Sequence, residues 1–205
     1  MTRVAYGRAV AAAPVNDVSR RLRDVQRTPA QLRVLAAALD LFADHGVSGT
    51  SLQMIADRIG VTKAAVYHQF KSKDEIVVAV AEHEFADLEE ALEVAQRERS
   101  KVKARDRLLT HVIDTAVTRR RWVSASQNDP VMLRMLAEHQ PLTQLMARLY
   151  ATLAGGSDSP ASRVSAALMG GAIATTVVHP LVADLDDETL RAELLAVARR
   201  VFDLG

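Results

Sequence analysis

The 205-residue sequence contains no cysteine, few aromatic residues and no long hydrophobic run. The absence of cysteine excludes disulfides, thiolate metal sites and cysteine nucleophiles. Aromatic residues make up only 4% of the chain although 49% of it is hydrophobic, so the core must be mainly aliphatic. The longest apolar candidate, residues 166–178, is shorter than the roughly 20 residues that a membrane-spanning helix needs. We therefore expect a soluble, cytoplasmic protein without a signal peptide.

Catalytic and metal-binding patterns are also missing from the sequence. The six histidines are scattered, and no two of them are four residues apart on one helix. No glycine-rich phosphate loop, nucleophile elbow or Ser/His/Asp arrangement is visible. An enzyme carrying a helical module would need such a constellation, so we expect no catalytic residue, no metal and no cofactor.

Residues 50–73 carry the most informative pattern that is present. Thr50, followed by Gln53, predicts a capping box at the start of a short helix. Apolar residues then recur at helical spacing until Gly60, where glycine is the residue least strained in a left-handed backbone. Thr62 predicts the cap of a second short helix. Two short helices joined by a tight turn are typical of a helix-turn-helix, whose second helix enters a DNA major groove.

The second helix of this motif has an inward and an outward face. Val66 and Phe70 point towards the core, which leaves a cation, a small residue, a phenol and an imidazole facing solvent: Lys63, Ala64, Tyr67 and His68. Such side chains suit contact with phosphates and base edges. The alternatives are that Tyr67 is a half-buried core residue and that His68 is an ordinary surface histidine.

The charge of the chain is divided between its two parts. Residues 1–73 hold 11 Lys and Arg against 5 Asp and Glu, whereas residues 74–205 hold 15 against 20. A basic segment that contains the helix-turn-helix is the distribution that DNA binding requires. We expect the acidic remainder to face away from DNA.

Helical periodicity and capping signals predict helices along nearly the whole chain. Thr28-Pro29 begins the first helix, which Gly46 ends, and Ser72 with Glu75 caps a helix over 73–97 that starts at Lys73. Further helices are predicted over 101–122, 130–138, 141–153, 160–180 and 187–202. The β-branched residues 175–178 could form a strand, but it would lack a partner. The prediction is an all-α protein with a three-helix helix-turn-helix domain at 29–72 and a helical domain at 73–205.

Residues 1–28 show no sustained apolar period and contain six arginines. We expect a flexible basic arm, which could also order along the DNA backbone or in a minor groove.

The segment LDLFADHGVSGTSLQMIADRIGVTKAAVYHQFKSKDEI, residues 39–76, resembles the TetR family of bacterial transcriptional regulators. The resemblance implies a homodimer that binds double-stranded DNA at a palindromic operator. It implies a C-terminal domain with a small-molecule pocket and a dimer interface formed by helices 160–180 and 187–202. Ligand binding would tilt the helix at 73–97 and release DNA. The implied function is that of a repressor. The alternative is a dimeric DNA-binding or architectural regulator that needs no ligand.

The resemblance also assigns roles to individual residues. Tyr67 and Lys73 match phosphate-contacting positions, and Thr50 or Ser51 matches the hydroxyl at the start of the first motif helix. Lys63, Ala64 and His68 occupy positions that read the operator bases, with Lys63 to guanine the most plausible contact. The candidate DNA-contacting residues are Thr50, Ser51, Thr62, Lys63, Ala64, Tyr67, His68 and Lys73.

The sequence gives weaker evidence for the residues of a ligand pocket than for those of the helix-turn-helix. The candidate pocket residues are His111, Trp122, Met132, Met135 and Met169, although each of these could be ordinary core or surface. The pair Gly170-Gly171 lies inside a predicted helix and costs about 1 kcal/mol per glycine, which close helix packing at the dimer interface or space for a ligand could offset. The run Arg119–Arg121 could favour a helix C-terminus or meet an anionic ligand such as a phosphorylated thioester cofactor.

Overall fold

The computed structural model describes residues 22–127, 129–156 and 159–201. Within these ranges the chain forms ten α-helices and no strand, which confirms the predicted all-α class. The helices are α1 (Pro29–Gly49), α2 (Leu52–Ile59), α3 (Lys63–Gln69), α4 (Lys73–Gln96), α5 (Lys101–Thr118), α6 (Arg120–Gln127), α7 (Pro130–Glu138), α8 (Gln140–Leu153), α9 (Pro160–Thr176) and α10 (Asp187–Val201). No helix in the described part of the chain is long and apolar enough to cross a membrane.

Helices α1, α2 and α3 pack as one unit around a shared apolar core. The side chains of Phe42, Ile55, Val66 and Phe70 are at most 1% exposed. Burial of such side chains contributes roughly 1.5–3 kcal/mol each. Helices as short as α2 and α3 are not stable alone, so this shared core is what holds the helix-turn-helix together.

The ends of α1 follow local signals in the sequence. Thr28 caps the helix in a full capping box, because its hydroxyl accepts from the Gln31 N–H while the Gln31 side chain accepts from the Thr28 N–H. Gly46 interrupts the helical backbone with a φ of 71°, as its predicted role at the helix end requires. One further turn runs to Gly49 before the chain reaches α2.

The helix predicted over 101–122 is two helices. Helix α5 ends at Thr118, because Arg119 leaves the helical region with φ −109° and ψ 32°. Helix α6 then begins at Arg120 and buries Trp122. No glycine or proline marks this break in the sequence, so the apolar period predicts one continuous helix.

Residues 22–28, which we call the strap, pack along α4 instead of forming part of an open arm. Leu22 is 4% exposed, and its N–H donates to the Glu89 carboxylate at 2.7 Å. Arg27 donates to the Glu82 carboxylate at 2.6 Å. The remainder of the predicted arm, residues 1–21, lies outside the described residues.

The same carboxylates of α4 also bind the C-terminal helices. Glu82 lies 3.1 Å from His139 Nε2 at the start of α8, and Glu89 lies 3.8 Å from an Arg148 guanidinium nitrogen on α8. Burial raises the pKa of the neighbouring Glu84 carboxyl, against the opposing charge of Arg119 at 3.4 Å. Helix α4 therefore connects the N-terminal unit to the remaining helices through charged side chains as well as apolar packing.

Helix α9 ends at Thr176, earlier than predicted, and a 3-10 turn at Pro180–Val182 precedes α10. Gly170 in α9 packs against a side chain of its own chain, since a Cβ there would lie 3.0 Å from Tyr150 Cε1. Gly171 has no atom within 4 Å of the equivalent position. Close helix packing within one protomer thus accounts for the first glycine, and the second faces open space.

Candidate nucleic-acid interface

The outward face of α3, defined as Lys63, Ala64, Tyr67 and His68, is exposed along its whole length. The Tyr67 side chain is 52% exposed, so the half-buried core position considered for it is wrong. Within the described residues no ion pair or hydrogen bond engages the Lys63 ammonium. A cation, a phenol and an imidazole therefore lie together on a face of α3 that no other described helix buries.

Backbone geometry presents this face at the end of a rigid turn. Gly60 adopts the left-handed conformation, with φ 69° and ψ 37°, which confirms its predicted place after α2. The Thr62 hydroxyl caps α3 by accepting from the Ala65 N–H at 3.2 Å. Thr62 is exposed. Its hydroxyl therefore lies at the helix N-terminus beside Lys63, where an anion is favoured.

The cap of α2 is Ser51 and not Thr50. The Ser51 hydroxyl accepts from the Met54 N–H at 3.2 Å, whereas Gln53 donates to Asp57 and completes no capping box. Threonine and serine are both favoured N-cap residues, so the sequence alone does not decide between Thr50 and Ser51. The backbone conformation identifies the cap. Ser51 is exposed and remains available as a DNA-contact candidate.

The structure does not present Thr50 to a ligand. Its side chain is 2% exposed, and its hydroxyl lies 2.8 Å from the Gly46 carbonyl oxygen and 3.2 Å from that of Leu41. The predicted DNA contact of Thr50 is therefore corrected to a structural role in residues 46–50, which we call the junction turn.

Lys73 is also occupied by the junction turn. Its ammonium donates to the carbonyl oxygens of Val47, Ser48 and Thr50 at 3.0, 3.4 and 3.1 Å. An ammonium has three donors, so a phosphate contact would require one of these bonds to break. The geometry favours an internal role for Lys73 over the predicted phosphate contact.

Lys71 is a surface cation that sequence reasoning missed. Its ammonium lies 5.5 Å from the centre of the Tyr67 ring and 3.4 Å from the His68 carbonyl oxygen. Its place in the sequence could have indicated this position, because Lys71 lies in the short loop between α3 and the Ser72 cap. Its position beside Tyr67 adds a positive charge to the outward face of α3.

The candidate pocket residues fall in different environments. Trp122, Met132 and Met169 are buried core residues, and Met135 is partly buried against the same core. His111 is half-buried, and its Nε2 is shielded from solvent without a hydrogen-bond partner in the described part of the chain. Of the five, only His111 lines the groove that the structure shows.

This groove lies between α4 and α5 and has a volume of about 390 Å³. Ala91 and Val94 supply apolar surface, while Glu90 and Arg107 supply charges. Asp87 and His111 complete its lining. We call it the α4–α5 groove.

The arginines of the run at 119–121 each bind a different element. Arg119 binds the Glu84 carbonyl and the Asp87 carboxylate, and Arg120 pairs with Asp187 at the start of α10. Arg121 pairs with Asp44 of α1 at 2.8 Å. Internal ion pairs thus account for these charges, and the anionic-ligand alternative is not needed. The described ranges also contain no cluster of His, Cys, Asp and Glu that could hold a metal ion.

Comparison with known proteins agrees with this architecture. The family described as bacterial regulatory proteins of the tetR family matches residues 34–80, which span most of α1 to the first turns of α4. An HTH-type transcriptional regulator from Xanthobacter autotrophicus is 26% identical over 180 residues, which cover 82% of this chain and 89% of that relative. The HTH-type transcriptional repressor KstR2 of Mycolicibacterium smegmatis is 39% identical over 59 residues, covering 28% of this chain and 29% of the repressor.

A solved structure shares the fold over nearly the whole protein. The protein AibR, solved in complex with isovaleryl coenzyme A and operator DNA, matches with a TM-score of 0.59 and 22% identity. The match covers 82% of this chain and 97% of that chain. The family match therefore identifies residues 34–80 as a helix-turn-helix unit of the TetR family of bacterial transcriptional regulators, and the structural match shows that the all-helical remainder shares the fold of the solved protein.

Proposed function

We propose that this regulator is a repressor that binds a palindromic operator as a dimer through α3 and leaves it when a small molecule binds. The observation that carries the proposal is the outward face of α3, where Lys63, Tyr67 and His68 are exposed on a capped, rigid helix. DNA binding gains most of its affinity from such cations and its specificity from side chains that reach base edges. The relatives named above are regulators, and a regulator of this kind acts on DNA in the cytoplasm without catalysis.

We propose that Lys63, Ala64 and His68 read base edges and that four other exposed residues contact phosphates: Ser51, Thr62, Tyr67 and Lys71. We place the DNA-binding domain at 29–72 and the dimerisation and ligand domain at 73–205.

DNA binding is tested with duplexes selected from a random library by the protein itself. The wild-type affinity should fall linearly with salt concentration on logarithmic axes. The double variant Lys63→Ala/Tyr67→Ala should bind at least about tenfold more weakly, because each lost contact costs roughly 1–3 kcal/mol. A matched control is Lys101→Ala/Val102→Ala, which alters an exposed cation and an exposed apolar residue on α5. Salt-independent binding, or equal affinities of the two double variants, would contradict the proposal.

The dimer proposal rests on an apolar face of α9 and α10 that nothing in the described part of the chain covers. Val164 and Leu168, one turn apart on α9, are 59% and 62% exposed, whereas Ala166, Met169 and Ile173 on the opposite face are buried. On α10 the exposed large apolar residues are Val197 and Val201. Exposed apolar surface of this extent marks interaction sites in soluble proteins. We propose that α9 and α10 pack against the same helices of a second copy.

Sedimentation velocity distinguishes the dimer from a monomer. Leu168→Asp places a charge in the centre of the proposed interface and should shift the protein to monomer. Leu133→Asp is the control, because Leu133 is 46% exposed on α7, a helix that packs against α1, α4, α6 and α8. Dissociation by both variants, or by neither, would contradict the assignment of the interface.

For the effector we propose the α4–α5 groove, which His111 helps to line. A ligand there contacts α4, the helix that begins immediately after the helix-turn-helix. It can release DNA only if it binds the DNA-free conformation more tightly. AibR was solved with isovaleryl coenzyme A, so this thioester is the first probe for the present chain.

The effector proposal is tested by thermal stability and operator binding across a ligand panel that begins with this thioester. An effector should raise the melting temperature and weaken operator binding. Ala91→Phe, which fills the groove, should abolish both responses while leaving operator affinity unchanged. If no compound changes operator binding, the ligand-independent dimeric regulator is the better description.

A further inference from the structure

The junction turn connects α1 to the helix-turn-helix and is internally rigid. Gly46 has a φ of 71°, and the Thr50 N–H donates to the Val47 carbonyl at 3.2 Å. The buried Thr50 hydroxyl binds the Gly46 carbonyl from inside the turn. Any group that holds this turn therefore also holds the start of α2.

Two charged side chains from outside the junction turn bind it, one through its carbonyl oxygens and the other through an N–H group. Lys73, the first residue of α4, donates to three of its carbonyl oxygens. Asp129, the residue before α7, accepts from its Ser48 N–H through Oδ2 at 3.1 Å. The carbonyl oxygens of the turn thus accept hydrogen bonds from a cation of α4. One of its N–H groups donates to the carboxylate that precedes α7.

Asp129 performs a second task with its other oxygen. Oδ1 accepts from the N–H groups of Val131 and Met132 at 2.9 and 3.3 Å, which makes Asp129 the N-cap of α7. One carboxylate therefore joins the first turn of α7 to the turn that precedes α2. The spacing is close, because a Cβ on Gly46 would lie 3.5 Å from Asp129 Oδ2.

The protonation behaviour of Asp129 agrees with this geometry. Burial by itself would raise the pKa of this carboxyl. Hydrogen bonds from the N–H groups of Ser48, Val131, Met132 and Val47 outweigh burial and hold the pKa below its ordinary value. The group is therefore a carboxylate at neutral pH, as its role as an acceptor of these bonds requires.

We infer that Asp129 is a positioning residue for operator binding, which fixes the orientation of the helix-turn-helix relative to α7 and thereby the spacing of the two α3 helices. Asp129 lies apart from the outward face of α3, so its effect on DNA is indirect. The inference rests on the proposed dimeric DNA binding, because spacing matters only when two helices engage two half-sites at once.

Asp129→Asn separates the two tasks of the residue. An asparagine is as good an N-cap as aspartate, so the amide oxygen can still cap α7. The amide nitrogen then faces the Ser48 N–H, where two donors cannot bond. Asp186→Asn is the matched control, since Asp186 also caps a helix, α10, and its change removes the same charge from a carboxylate that bonds Thr189 and not the junction turn.

The experiment compares affinity for a selected palindromic duplex with affinity for the same duplex with one half-site scrambled. For Asp129→Asn we expect full-site affinity to fall about tenfold, as loss of one hydrogen bond to a charged group allows, while half-site affinity and the salt slope stay unchanged. Exchange of the Ser48 amide hydrogen should be faster in this variant. Removal of a negative charge alone strengthens DNA binding, so Asp186→Asn should not weaken it.

The outcomes separate the inference from the proposed function. If Asp129→Asn leaves full-site affinity unchanged, or lowers full-site and half-site affinity equally, Asp129 does not set the spacing and the inference is overturned. If the wild-type protein gains nothing from a second half-site, the proposed palindromic binding falls, and the inference falls with it.

Discussion

Lys63 and Lys73 lie ten residues apart, at the first positions of α3 and α4, and they have opposite surroundings. The Lys63 side chain is exposed and has no partner within the described ranges. The Lys73 ammonium donates to three carbonyl oxygens of the junction turn. A cation at a helix N-terminus is thus available for DNA in one case and committed to the fold in the other.

The same contrast recurs on α4 between neighbouring acidic residues. Glu89 is buried and binds the Leu22 N–H and Arg148, whereas Glu90 is exposed in the α4–α5 groove. Charged side chains that are bonded within the protein connect its helices. Charged side chains that are exposed are the ones that a ligand can contact. Substitutions at bonded and at exposed charges should therefore differ in their effect on stability.

Glu89→Ala should lower the free energy of unfolding by about 2 kcal/mol, because it leaves a buried N–H without an acceptor and Arg148 without its carboxylate. The control, Glu90→Ala, should change stability by less than about 0.5 kcal/mol. Urea denaturation followed by circular dichroism measures both. Equal effects of the two substitutions would show that the strap is not held as described.

Lys73→Met should cost about 1–2 kcal/mol of stability, since three carbonyl oxygens lose their donor. Lys63→Met should leave stability unchanged and instead weaken DNA binding by roughly 1–3 kcal/mol, with discrimination relaxed at the base pair that Lys63 reads. Thermal denaturation and binding to duplexes with single base-pair changes distinguish the two lysines. A loss of salt slope in Lys73→Met would restore its predicted phosphate contact.

Ser51→Ala should cost about 1 kcal/mol through loss of the α2 cap. Gln53→Ala should cost less than about 0.5 kcal/mol, because its side chain bonds only to Asp57 and not to the cap backbone. The pair tests which hydroxyl begins α2. A large effect of Gln53→Ala would reinstate the capping box predicted from the sequence.

The smallest expected effect is the pH dependence of Asp129. A carboxyl whose pKa is lowered by folding stabilises the protein above its ordinary pKa of 3.8, and this contribution disappears as pH falls through the lowered value. The stability difference between wild type and Asp129→Asn should therefore be constant above about pH 5 and shrink towards zero in stronger acid. A difference that grows on acidification would contradict the assigned shift.

Local signals were sufficient for most of the DNA-binding unit. Gly60, Thr62 and Ser72 act through hydrogen bonds or backbone angles within a few residues, so their roles could be predicted from the sequence. The cap of α2 was misassigned by one position because Thr50 and Ser51 are chemically equivalent there. The outward face of α3 followed from helical periodicity once its inward residues were recognised.

The parts that were missed depend on contacts between distant residues. Leu22 meets Glu89, and Asp129 meets Ser48, across 67 and 81 residues of sequence. Such contacts cannot be predicted from one sequence, because a pair of polar residues far apart in the chain produces no repeating pattern of residue types. The break at Arg119 was missed for a different reason, since the apolar period continues across it.

Because the native chain contains no cysteine, a single introduced thiol reports directly on whether its surroundings contact DNA. The thiol of an Ala64→Cys variant lies on the outward face of α3, and that of a Glu90→Cys variant lies in the α4–α5 groove. Alkylation rates are measured with and without the selected palindromic duplex. We predict that the duplex slows alkylation at position 64 at least about tenfold and leaves position 90 unchanged, as binding in a major groove would require. Equal rates at position 64 with and without DNA would contradict the claim that α3 reads the operator.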